Sequence, residues 1–141
     1  MALKVGEVLF DPSFVFPDGQ TKGKLLIILA RSLANDYIVA RTTSNPQRKS
    51  FQYGCHNDEP DPNFSIPKTT GAFPKDTWVC LDYLFNFDDL ELEAKVAAGA
   101  ITQKGMLPTN ILKGLMDCAA RASDTTGQQA TAIRDALSKI P

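Results

Sequence analysis

Apolar positions in the first two thirds of the chain come in short runs of strand length, each ended by breakers. Val5 to Phe10 reads as a first strand, entered through Gly6 and closed by Asp11-Pro12. Residues 11 to 23 hold two prolines, two glycines and two aspartates, which predicts a long loop built on the turn tripeptide Pro17-Asp18-Gly19. Lys24 to Ala30 follows as a continuous apolar strand and Tyr37 to Thr43 as a β-branched one, with a hairpin turn over Leu33 to Asp36. Ser44 to Pro62 is loop-like, with a short strand around Phe51 to Tyr53. Phe64 to Pro67 is another short strand, and the aromatic-rich stretch Thr77 to Phe87 supplies one or two more.

The period then changes. Across Asn110 to Ala122, Ile111, Leu112, Leu115, Met116 and Ala119 share one helical face, with Thr109 or Asn110 as the cap after Pro108. Ser123 and Asp124 end that pattern and can cap a second helix, in which Ala130, Ile133, Leu137 and Ile140 recur at three and four. Asp88 to Gly99 reads either way: Leu90, Leu92 and Ala94 alternate like a strand, while Ala94 to Ala98 favours a helix. The expectation is one domain over residues 1–141, mainly β within the α+β class. It is a small β-barrel whose residues from about 109 to 141 form C-terminal helices.

Composition changes this picture little: 43% apolar and 22% charged residues over 141 positions describe an ordinary folded domain. The longest apolar run, Leu25 to Ala30, is far short of the roughly 18 residues needed to span a bilayer. The N-terminus shows neither a basic nor an apolar leader segment, so the expected compartment is the cytosol. Cys55, Cys80 and Cys118 are an odd set without a CxxC pair, which speaks against a disulfide framework and for reduced thiols.

Charge is more informative. The chain carries a formal net charge of −1. Yet between residues 20 and 50 lie Lys22, Lys24, Arg31, Arg41, Arg48 and Lys49 against the single acid Asp36, a concentration that points to a phosphate-binding face.

Several segments resemble the MazF/PemK family. Val5-Gly6-Glu7-Val8 is similar to its opening strand, and Asp18-Gly19-Gln20-Thr21-Lys22-Gly23-Lys24 to the glycine-bearing loop before its second strand. Leu25 to Leu29 resembles that strand. Ala40-Arg41-Thr42-Thr43-Ser44-Asn45-Pro46 resembles the strand end carrying the family's Thr. Phe64 to Gly71 and Asp76-Thr77-Trp78-Val79 look like two later strands, and Gly99 through Leu115 matches the last turn into a C-terminal helix. The order is kept over roughly residues 4 to 118, each motif being short. Lys24-Leu25 stands where the family has Arg-Pro, a pattern closer to the ToxN-type branch with its RNA antitoxin. Gln20 replaces a loop acid, and the helix from about residue 124 has no counterpart in the minimal family member.

The resemblance implies an SH3-like barrel, a homodimer, a protein or RNA antitoxin as partner, and cleavage of single-stranded RNA without metal or other cofactor. In that reaction the 2′-hydroxyl attacks the adjacent phosphorus, leaving a 2′,3′-cyclic phosphate and a 5′-hydroxyl. It needs a cation on the phosphoryl oxygens, hydrogen bonds that fix geometry, and proton transfer at both ends. Carried onto this chain, Lys24 is the cation, and Thr43 and Ser44 hold the phosphate. Lys22, Arg41, Arg48 and Lys49 grip the backbone, and Phe51 and Tyr53 stack bases.

His56 and Asp18 are further acid–base candidates. Each residue has a plainer reading beside this one: Lys24 as a solvated strand-start charge, Thr42-Thr43-Ser44 as strand punctuation, Asp18 as a turn residue, Phe51 and Tyr53 as packing. Cys55 and His56 with the acids Asp58, Glu59 and Asp61 are too few good ligands for a metal site. Cys80, Cys118 and Trp78 read as core. Two other functions remain open: a non-catalytic barrel that binds a protein or nucleic-acid partner, and an interaction module made from the α-helical stripe Ala130, Ile133, Leu137 and Ile140.

Overall fold

The apolar centre of β2 (Thr21–Arg31) and the β-branched run of β3 (Asp36–Thr43) pair antiparallel as the pattern predicts, Ile27 lying opposite Ala40 and Ile28 opposite Val39. Ser32 N–H donates to the Asp36 carbonyl at 2.8 Å to close the turn, and Asn35 takes the left-handed φ of 64° that its short polar side chain tolerates. This computed structural model describes residues 2–45, 49 and 51–141. Among them eight strands form one sheet, and three α-helices pack against it.

The other strands are β1 (Glu7–Val15), β4 (Gly54–His56), β5 (Asn63–Ile66), β6 (Thr77–Cys80), β7 (Phe85–Asp88) and β8 (Thr102–Met106). The helices are α1 (Asp89–Ala97), α2 (Thr109–Arg121) and α3 (Gly127–Ser138). Strands run in the order β4-β5-β6-β3-β2-β1-β8, all neighbours antiparallel, with β4 and β8 at the two edges. The fold is therefore α+β with an open antiparallel sheet. One strand changes partner along its length: Asp36–Val39 of β3 pair with β7, and Thr42–Thr43 pair with β6.

Strand alternation divides the side chains between two cores. Ile27, Leu29, Ile38, Ala40, Phe64, Ile66 and Val79 face one side, where Ile111, Leu112, Leu115 and Met116 of α2 and Ile133 of α3 cover them. Leu9, Phe14, Leu26, Ile28, Tyr37 and Val39 face the other, covered in part by Leu92 and Val96 of α1. Leu137 and Ile140 pack against the first core and Ala130 is buried, so the α3 stripe is used inside the chain. That removes the interaction-module reading.

Other expectations need correction. The long loop over 11–23 is absent; β1 runs on to Val15 and the turn is confined to Phe16–Gln20. Pro12 falls where the β1–β2 register breaks between Asp11 and Phe14, so its missing N–H costs no ladder bond, and burying Phe14 holds the extension in place. The strand expected at Phe51 to Tyr53 lies instead at Gly54–His56.

The ambiguous 88–99 stretch is helical, with the Asp88 carboxylate accepting from Glu91 N–H as its cap. In α2 neither Thr109 nor Asn110 caps; Pro108 occupies that position. In α3 the cap is Thr126, in a reciprocal capping box with Gln129, rather than Ser123 or Asp124. The apolar pattern carries no sign of β8, because every residue of this edge strand is exposed and none alternates.

The thiol reading also changes. Cys55 on β4 and Cys118 on α2, 63 residues apart in sequence, form a disulfide, leaving Cys80 free and buried. No spacing motif announces such a pair, because it depends on α2 lying beside the edge strand. Among the described residues no helix is long and apolar enough to cross a membrane.

Candidate active site

On the second face, the row Tyr37, Val39, Arg41, Thr43 along β3 passes from apolar to polar just where α1 no longer covers the sheet. Lys24 lies on the same face one strand away, in step with Leu26 and Ile28. Phe16, from the β1–β2 turn, has both cations near its ring. Lys24 Nζ is 5.8 Å from its ring centre and Arg41 Cζ 5.7 Å, both in cation–π range. The antiparallel register of β3 with β6 sets Cys80 beside Arg41, which donates to the thiol sulfur at 3.3 Å and to the Asp82 carboxylate at 3.3 Å.

Next to this group a cleft of about 170 Å³ is lined by Arg41, Thr43, Asn45, Lys49, Asp61, Pro62, Cys80 and Asp82. Two larger grooves lie against the first turn of α3. Asp36 and Asp135 with Arg31 line one of them and Asp124 the other, whereas the cleft beside β3 has Arg41 and Lys49 alongside Asp61 and Asp82.

Cations crowd together here, with the Asp61 and Asp82 carboxylates among them. Partial burial holds the Lys24 ammonium below the ordinary lysine range; Arg41, Lys22 and Lys49 push the same way, against the opposing influence of Cys80. Burial also raises the Cys80 thiol, while Arg41, Lys49 and Lys24 pull it down. Thr43 Oγ1 accepts from Asn45 N–H at 3.1 Å, which orients the hydroxyl and keeps its own proton free to donate.

The structure thus brings Lys24, Arg41, Thr43 and Lys49 together, with Lys22 exposed further along β2 and Ser44 exposed in the bend after β3. Phe51 stands near the same place, 63% exposed, its ring 5.6 Å from that of Trp78, the residue opposite Thr43. Arg48 lies outside the described residues.

Three candidates are elsewhere. Tyr53 packs at 5.5 Å on Phe64, a residue of the helix-covered core. Asp18 accepts from Gln20 N–H in the β1–β2 turn, its local turn role. His56 is on edge strand β4, with Nε2 2.8 Å from the Gln52 carbonyl and Nδ1 3.5 Å from Glu59.

Its neighbour Cys55 is bound in the disulfide and cannot ligate a metal as a thiolate, and among the described residues no three His, Cys, Asp or Glu side chains cluster as a metal site would need. Cys80, Asp82, Asp61 and Phe16 were missed. For Cys80 and Asp82 a signal exists: buried Val79 and Leu81 face the helical core, so the alternate residues must face the other way.

No known family model matches this chain, and no curated protein is significantly similar to it in sequence.

Proposed function

We propose that the chain is a metal-independent endoribonuclease of the MazF/PemK type, acting on single-stranded RNA. The observation that carries this reading is the convergence of Lys24 and Arg41 on Phe16, beside a cleft that Thr43 and Lys49 line. Two cations close to one point stabilise the charge that builds on phosphoryl oxygens as the 2′-oxygen bonds to phosphorus and the 5′-oxygen departs. Arg41 adds a planar donor set and Lys24 a point charge. The Thr43 hydroxyl donates to a non-bridging oxygen.

Proton transfer falls to the carboxylates that line the cleft, Asp82 and Asp61, in place of His56 and Asp18. One accepts the 2′-hydroxyl proton and a protonated group returns one to the leaving 5′-oxygen. With its pKa held down, Lys24 can serve as that donor.

On this reading the open sheet with its terminal helices is a variant of the SH3-like barrel. The active form is a homodimer, silenced by a protein or RNA antitoxin. RNA as substrate places its action in the cytoplasm, although the Cys55–Cys118 bridge favours an oxidising compartment. Rapid alkylation of thiols in intact cells decides between the two.

The test is cleavage of a defined single-stranded RNA in EDTA by wild type, Lys24→Ala, Arg41→Ala and Thr43→Ala, with product ends examined for cyclic phosphate and 5′-hydroxyl. Cleavage by wild type and its loss in the variants supports the assignment. Absence of cleavage by folded wild type across several long RNAs supports a second reading, a barrel that binds nucleic acid without cutting it. One observation favours that alternative: Arg41 is already engaged by Asp82 and Cys80.

A further inference from the structure

The Cys55–Cys118 bridge and the cleft beside β3 are joined by one loop. Cys55 sits on edge strand β4, whose ladder partner is β5, with Cys55 opposite Phe64 and His56 opposite Asn63. The loop that follows is fastened to α2 twice at one residue. One tie is the disulfide; the other is the Asn57 amide, which donates to the Cys118 carbonyl at 3.0 Å. The far end of the loop supplies Asp61 and Pro62 to the cleft wall. There the Pro62 carbonyl accepts from Leu81 N–H at 2.9 Å, next in sequence to Cys80, which also lines the cleft. Asn63, fully buried, braces the loop from within, donating to the Glu59 carboxylate at 2.9 Å and to the Asp61 carbonyl at 2.8 Å.

The two sulfurs of the bridge have different surroundings. Cys118 is fully buried, whereas Cys55 is partly exposed. Arg121, one turn on from Asp117 in α2 and paired with it at 3.0 Å, holds Nη2 3.7 Å from Cys55 Sγ. An incoming thiolate therefore meets Cys55, and a guanidinium stands beside that sulfur to hold it as an anion once the bridge is open. Exposed bridges also exchange more readily than buried ones.

We infer that Cys55–Cys118 is a reversible redox site, exchanged at Cys55 by a dithiol reductant, and that opening it loosens the cleft wall formed by residues 57–62. This stands apart from the ribonuclease reading, since the wall belongs to the cleft whatever the cleft binds. In reduction, a thiolate of the reductant bonds to Cys55 Sγ as the Cys55–Cys118 bond breaks. The electron pair leaves on Cys118 Sγ, which takes up a proton. The second thiol of the reductant gives up its proton and bonds to the first sulfur, completing its own disulfide and releasing Cys55 as a thiolate beside Arg121. Two electrons pass to the protein. Glutathione disulfide reverses the change: Cys55 displaces one glutathione thiolate, and Cys118 then displaces the other.

The experiment follows wild type in dithiothreitol at neutral pH without denaturant, with freed thiols alkylated and mapped by mass spectrometry and folding read by circular dichroism. Cys55 and Cys118 are expected to be reduced while the chain stays folded, and glutathione disulfide should restore the bridge. In Cys118→Ser, glutathione should be trapped on Cys55. Arg121→Gln should slow that trapping about threefold, because a thiol pKa raised by about one loses about tenfold of its thiolate and regains about threefold in nucleophilicity. Arg121→Lys should keep the rate. In amide NMR spectra, reduction should shift the signals of residues 57–62 and Leu81 and leave Ile38 and Ala40 in place. Reduction no faster than global unfolding overturns the exchange site, as does failure of Cys55 to take glutathione in folded Cys118→Ser. An equal rate in Arg121→Gln overturns the role of the guanidinium. Shifts confined to the two cysteines and their immediate neighbours overturn the link to the cleft.

Discussion

The two faces of the sheet are made by the same strands and behave as different materials. On β3, Ile38 and Ala40 are fully buried under the helices, while Arg41 and Thr43, odd-numbered and on the opposite side, border a polar cleft. The helix-covered face is closed by α2 and α3 and tied by Cys55–Cys118. The other face is only half covered by α1, and its uncovered half holds the cations. One face can therefore supply the stability that lets the other carry mutually repelling charges.

The contrast can be attacked from the stable side first. Leu115 is fully buried between α2 and the sheet, so Leu115→Ala should lower unfolding free energy by about 2–5 kcal/mol in denaturant titration. Arg41→Ala, on the opposite face, should stay within about 1 kcal/mol of wild type. Equal losses at both positions would erase the distinction.

Next in size is the disulfide. Closing a loop of 63 residues gives about 4 kcal/mol in the chain-entropy account, with about 2–4 usually measured. Reduction, or Cys55→Ala, should lower Tm accordingly and leave Cys80, already free, unchanged in thiol titration.

Lys24→Met sharpens the comparison from the other side. Cleavage should fall about 100-fold or more, as expected for losing a transition-state charge contact. Stability at neutral pH should rise slightly, because the half-buried ammonium is held below its ordinary pKa. The sign follows from proton counting. Between the lowered folded value and the ordinary one, the unfolded chain binds more proton, so wild-type stability climbs with pH there. The advantage of the methionine variant should accordingly shrink as pH rises through that window. A stability loss in Lys24→Met at pH 7 would show that the lysine supports the fold.

The smallest effect is at the α3 cap. Thr126→Ala removes one arm of the capping box and should cost about 1 kcal/mol, with cleavage unchanged.

What the chain discloses in advance follows the same division. β2 and β3 are legible because they are continuous apolar runs buried on both faces, and α2 because its apolar period is strong and its burial one-sided. β8 was hidden because an exposed edge strand needs no alternation, and the β1 extension because Pro12 disguises a register break as a loop. At the site, Lys24, Arg41 and Thr43 could be placed together from two adjacent strands. Cys80 and Asp82 could not, since only the β3–β6 pairing brings them across about 40 residues of sequence to Arg41. Tyr53 and His56 lie away from the cleft because neither nearness in sequence to Lys49 nor the chemistry of an imidazole says which side of the short strand Gly54–His56 a residue occupies.

The change of partner along β3 has a consequence for how such a protein can diversify. Between β6 and β7 the chain crosses over on four residues, of which Leu81 and Leu84 are anchored in the helix-covered core. Asp82 and Tyr83 between them lie outside that core, Asp82 paired with Arg41 and Tyr83 packed edge-on against Phe85. A change at Tyr83 would alter the surface beside Arg41 without touching the scaffold, whereas a change at Asp82 would also remove the partner of the guanidinium. The surroundings of Arg41 can thus be re-engineered through a crossover of four residues.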